Sequence, residues 1–171
     1  MASQIEKVVI TTHESAIRII DKKGPLYNPA DRDHCIQYIT AAGLLFGTLN
    51  AEHYEEAAAS DPRIDTLRAK MKCVEHPRYT KEYLDPDKRS IANSVQVFFR
   101  DGTSTDRIEI EYPLGHRRRR NEAVPKILEK FQQNVGTKYV STYAEHLSSL
   151  FKDRAQLEAM SASGFMSLWT A

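Results

Sequence analysis

Residues 111–120 read Glu-Tyr-Pro-Leu-Gly-His-Arg-Arg-Arg-Arg, so that His116 stands directly before Arg117, Arg118, Arg119 and Arg120. A guanidinium offers a planar fork that grips a carboxylate through two hydrogen bonds, and an imidazole moves protons near neutrality. Together they suit a small polycarboxylate. Successive side chains point in different directions on any regular backbone, so about two of the four arginines can converge on one ligand. The string alone is equally compatible with a solvated basic turn paired to carboxylates such as Glu122. A second basic group, Lys22 and Lys23 with Arg18 and Arg32, lies near His13 and His34. If the first segment and the later hairpin share a sheet, strand ends would carry both basic groups to one rim. For any single histidine, a hydrogen-bonded structural role is the simpler reading. No histidine pair has the spacing of a metal-binding helix, so no metal is expected.

Composition narrows the choice. The 24 Lys+Arg residues meet 23 Asp+Glu, and the pI near 7.8 is below the level usual for nucleic-acid binders. The arginines are therefore a local feature, and no nucleic acid is expected as a partner. Cys35 and Cys73 have no CxxC spacing, which argues against a zinc or iron–sulfur site built from cysteine and for buried, reduced thiols. The longest apolar stretch, 39–49, is interrupted by Thr40, Gly43, Gly47 and Thr48 and is too short to span a bilayer. With no leader pattern at the start, no membrane role and a cytoplasmic setting are expected, or a mitochondrial matrix in a eukaryote.

The elements that must position these groups can be read along the chain. Val8-Val9-Ile10 and the Ile17, Ile19 and Ile20 run both read as strands. Asp31 is placed to cap a helix carrying Cys35, Ile36, Ile39, Ala42 and Phe46, with Gly47 as its stop. Residues 51–70 read as polar helix broken at Ser60-Asp61-Pro62, with Ile64, Leu67 and Met71 inward. Residues 76–87 read as a connecting loop. Val95, Val97 and Phe99, the Asp101-Gly102 turn, and Ile108, Ile110 and Tyr112 predict a hairpin with one buried face. Ile127, Leu128, Phe131 and Val135 form a helical stripe; Thr142 and Glu145 suggest a capping box; Asp153 suggests the cap of a last helix. The expected class is α+β: a small sheet with a β-hairpin packed against helices over 1–116, followed by a helical C-terminal tail over 117–171. Each tail helix has one apolar stripe, which needs a surface to cover.

Three longer blocks carry a resemblance: Thr12 to Leu26 with Asn28 to Tyr38, Asp85 to Asn93, and Glu111 to Arg120, closing with Lys130-Phe131. They resemble the MmgE/PrpD family, over nearly the whole chain and more weakly after about residue 137. Where other members tend to show a Gly-His-Pro type of sequence, this chain has Gly115-His116 followed by arginines, which is similar to the dehydratase branch. The resemblance implies loss of water from 2-methylcitrate to give 2-methyl-cis-aconitate, in propionate breakdown through the methylcitrate cycle, with no cofactor and no iron–sulfur cluster. It also implies that 1–116 is a lid-type domain and that 117–171 packs on an N-terminal helical domain absent from this chain, the complete protein being a homo-oligomer. The family's main acid–base residues would lie in that absent domain, leaving the catalytic residues of this chain unknown and the chain inactive alone. Substrate-binding groups expected here are His116, Arg117 and Arg118, and then His13, Lys22 and Lys23. Open alternatives are a non-enzymatic lid-like module that binds an anionic metabolite or a separate helical subunit, and another family activity such as cis-aconitate decarboxylation.

Overall fold

The computed structural model describes residues 2–170. Contacts divide the chain into two compact units, the first running to Pro113 and the second starting at Leu114. The class is α+β, as expected.

In the first unit, β1 (Ile5–Thr12) is the central strand: it pairs in parallel with β2 (Met71–Glu75) and antiparallel with β3 (Asn93–Phe99), which pairs with β4 (Ile108–Ile110). The sheet order is β2-β1-β3-β4. Ile5, Val8, Ile10 and Thr12 are buried while Glu6 and Lys7 are exposed, the alternation of a strand with one covered face. Two helices supply the cover: α3 (Ile36–Phe46), through Tyr38 and Ala41, and α5 (Pro62–Arg68), through Ile64 and Leu67. Each of those two fully buried aliphatic side chains contributes about 1.5–3 kcal/mol of transfer free energy. Between them lie a 3-10 turn over Ala51–Tyr54 and the one-turn helix α4 (Glu56–Ala59).

Several expectations are corrected. Residues Glu14–Ile20 form a helix, α1, not a strand. His13 caps it by accepting the Ala16 N–H, and a cap plus an acidic first turn outweighs the weak β-preference of three isoleucines. Asp31 does not cap the buried helix. It lies inside the five-residue α2 (Pro29–Asp33), capped by Asn28, and α3 begins afresh after Cys35. Gly47 does end α3, in the left-handed region at φ 71°. The segment expected as a loop holds α6 (Pro77–Leu84), capped by His76, with Tyr79 fully buried, and β2 was not anticipated at all. The hairpin is present, with Gly102 at φ 85° and the Asp101 carboxylate accepting the Thr103 N–H. Its outer strand is not half-buried, however: Ile108 is 62% and Ile110 50% exposed, because the core cluster reaches β3 and stops there.

The second unit is helical. A 3-10 turn at Arg117–Arg119 runs into α7 (Arg120–Gly136), followed by α8 (Ser141–Leu150), α9 (Arg154–Ala159) and α10 (Ala162–Ser167). The last helix was not expected, nor is the suggested capping box formed: α8 starts at Ser141 behind Val140, which makes no side-chain cap. Asp153 caps α9 as anticipated. Val135, Ala144 and Leu147 make a small core, surrounded by Phe131, Tyr139, Tyr143, Leu168 and Trp169. The Tyr139 and Tyr143 hydroxyls donate to the Trp169 and Leu168 carbonyls, both at 2.8 Å, which ties the chain after α10 to α8 and to the connection before it. Val124, Ile127, Val140 and Met166 remain exposed, so the apolar content of these helices is only partly used internally.

Candidate anion-binding groups

His116 is buried and opens the arginine turn as its N-cap: its Nδ1 accepts the Arg118 N–H at 3.1 Å. An Nδ1 that accepts must be unprotonated, so the neutral ring carries its proton on Nε2 and presents a donor there. Arg117 and Arg118 are exposed. Arg119 is paired with Glu122, through Nη2–Oε2 at 2.7 Å and a second hydrogen bond from Nε at 3.1 Å, which raises its pKa and lowers that of Glu122. The expectation that some of the four arginines would be taken up by carboxylates such as Glu122 is met at Arg119.

His13 has the same arrangement in the first unit. Its Nδ1 accepts the Ala16 N–H at 3.2 Å, its ring stacks on Tyr83 of α6 at 4.0 Å and 8°, and it is 6% exposed. Burial lowers its pKa from the ordinary histidine value. His53 and His76 likewise accept backbone N–H groups through Nδ1. Four of the six histidines are thus local backbone caps.

Lys22 and Lys23 sit together on one cavity of about 360 Å³, whose other walls include Gln37, Asp65, Arg68 and Met71. His13 is not among the residues lining it. Lys22 is ion-paired with Asp31 at 3.2 Å, whereas Lys23 is exposed and makes no ion pair among the described residues. Arg68 was missed by sequence reasoning. It stands 45 residues from Lys23, and only its place just after the buried Leu67 on α5 could have drawn attention to it. A second unanticipated group is the buried Tyr79, whose hydroxyl donates to Glu109 and accepts from Arg107 at 2.7 Å; Arg107 also donates to Ser94 at 2.8 Å. The loop reading of 76–87 hid it. Among the described residues no group of three or more His, Cys, Asp or Glu side chains could hold a metal ion, and no helix is long and apolar enough to cross a membrane.

The chemistry these groups can perform is anion recognition: cationic forks and ammonium groups, with imidazole N–H donors held by the backbone. Residues 1–153 match the MmgE/PrpD C-terminal domain. The chain is 49% identical over 168 residues to the 2-methylcitrate dehydratase of Escherichia coli (strain K12), covering 98% of this chain and 35% of that protein. It is 50% identical over 146 residues to the mitochondrial 2-methylcitrate dehydratase of Yarrowia lipolytica, covering 85% and 28%. It is 41% identical over 161 residues to the 2-methylcitrate dehydratase-like protein oryR of Aspergillus oryzae, covering 92% and 32%. The chain therefore spans about a third of the length of these curated relatives.

Proposed function

The chain belongs to the MmgE/PrpD family as its C-terminal domain, and we propose that it is the C-terminal part of a 2-methylcitrate dehydratase, contributing one wall of the tricarboxylate site. The observation that carries this reading is 49% identity sustained over 98% of the chain to a protein of that activity.

Dehydration of a citrate-like acid breaks a C–H bond beside a carboxylate and a C–O bond at the neighbouring carbon, forms the C=C bond, and releases water. It needs a base for the proton, an acid for the departing hydroxyl, and cations for charge accumulating on the carboxylate. Arg117 and Arg118 are assigned to carboxylate binding, with the Nε2–H of His116 as a neutral donor beside them. His13, Lys22 and Lys23 are assigned as further anion-facing groups. In each histidine the basic Nδ1 already accepts a backbone N–H, so neither His116 nor His13 is assigned as the base. The base and acid are assigned to the N-terminal helical region that the longer relatives have room for. The exposed Val124, Ile127, Val140 and Met166 support a second unit that packs on that region. The complete enzyme is assigned as a homo-oligomer.

The test is a chimera in which this chain replaces the C-terminal part of the Escherichia coli relative. Production of 2-methyl-cis-aconitate by the chimera, and none by the chain alone, is the expected result. A chimera that folds and assembles like the parent yet makes no product refutes the assignment, and turnover by the chain alone refutes the division of labour.

A further inference from the structure

We infer that the first unit holds an anion-binding site of its own, complete within residues 22–71, in the cavity beside Lys22 and Lys23. Its volume of about 360 Å³ is within the ~300–1,000 Å³ range of small-molecule sites. Three cations, Lys22, Lys23 and Arg68, line it against one carboxylate, Asp65. Lys22 is also held by Asp31, which does not line the cavity, so Lys23 is the lining cation with no ion pair among the described residues.

The site is built rather than incidental. Gly24 takes φ 91°, a conformation closed to most side chains, and this turns the segment after α1 so that the Gly24 carbonyl accepts from Arg68 Nη2 at 2.9 Å. That bond spans 44 residues and brings the lysine pair to the end of α5. One wall is Gln37, 3% exposed, whose amide donates to Asp21 and lies 3.4 Å from the Cys73 sulfur, while the Cys35 thiol donates to its Oε1 at 3.3 Å. With its head so anchored, this wall does not rearrange freely. The Arg68 side chain is 11% exposed, but its carboxylate partner Asp65 is 75% exposed and can turn to solvent when another acceptor arrives. The Nε of Arg68 is buried without a hydrogen-bond partner among the described residues, a deficit an incoming acceptor would relieve. An anion that meets Lys23, shares Lys22 with Asp31 and takes the place of Asp65 at Arg68 engages all three cations. The ligand class is a small multivalent anion, a polycarboxylate or a phosphate. The inference takes up Lys22 and Lys23, assigned above as anion-facing groups, but stands on the geometry of this cavity and not on the dehydratase reading.

Citrate and, separately, inorganic phosphate are titrated into the 171-residue chain by calorimetry, with the Gln37 side-chain amide followed by NMR. Saturable binding of at least one anion that shifts the Gln37 amide is expected, the tighter of the two naming the ligand class. Affinity falls about tenfold or more in Lys23→Gln and in Arg68→Gln. Lys23 is exposed and makes no ion pair among the described residues, so its variant keeps the fold even if Arg68→Gln loosens the tie to Gly24. The double variant Arg117→Gln/Arg118→Gln leaves the Gln37 shift unchanged, which separates this site from the arginine turn. Absence of saturable binding by both anions overturns the inference. So does binding that survives Lys23→Gln undiminished or that is lost in the Arg117/Arg118 variant.

Discussion

Replacing His13 by asparagine separates three things its imidazole does: it caps α1, stacks on Tyr83 and titrates. Asparagine is as good an N-cap, so the hydrogen bond to the Ala16 N–H is kept. The stack is lost, at about 0.5–1.5 kcal/mol beyond the area it buries. His13→Ala loses the cap as well, at about a further 1 kcal/mol. The titration adds a pH dependence of defined sign. An unfolded histidine titrates near 6.5, and burial holds the folded His13 below that. As pH falls from about 6.5 towards the folded pKa, the unfolded state binds more protons than the folded one. The contribution of the neutral, capping ring is therefore whole above that window and erodes on acidification, by at most about 1.4 kcal/mol per pH unit for a single site. Asparagine does not titrate, and the other groups cancel between the two proteins. Urea unfolding followed by far-UV circular dichroism at pH 7.5 and pH 5 should show wild type ahead by about 1–2 kcal/mol at the higher pH, with a narrower gap at the lower. A gap that stays constant or widens on acidification would refute both the tautomer assignment and the role of burial.

Tyr79→Phe removes the largest cause holding the Glu109 carboxyl below its ordinary value, ahead of the Arg78 hydrogen bond, so carboxyl-carbon NMR should show Glu109 titrating higher in the variant. Glu109 adds stability above its unfolded pKa that is lost as pH falls, so the variant should lose less on acidification while costing about 1–2 kcal/mol at neutral pH. The Cys73 thiol is pushed up to about 12, chiefly by burial and then by Asp21, and Cys35 is fully buried. Iodoacetamide at pH 8 should label neither in the native chain and both in urea, and fast native labelling of Cys73 would contradict this account. Gly47→Ala should destabilise by about 1 kcal/mol through backbone strain alone, because no atom lies within 4 Å of the added Cβ; a much larger loss in urea unfolding would point to an unseen clash.

Much of the fold was legible because its signals are local. The β-branched run of β1, the alternation in β3, the Asp101-Gly102 turn, the Gly47 stop, the stripe of α7 and the Asp153 cap each operate within a few residues. The α1 and α6 helices were misread where a histidine caps each of them, a role for which histidine is not the usual residue. Sequence by itself determined the α+β class, the local nature of the basic groups and, through long matching blocks, the family. Only the tertiary structure decided that β2 pairs with β1, that Ile108 and Ile110 lie beyond the reach of α3 and α5, and that Arg68 joins Lys22 and Lys23 around one cavity. Pairings across 44 or more residues leave no period in the chain. They arise from burying Ile64 and Leu67 under the sheet and from the turn that Gly24 permits, which together carry Arg68 to the lysines.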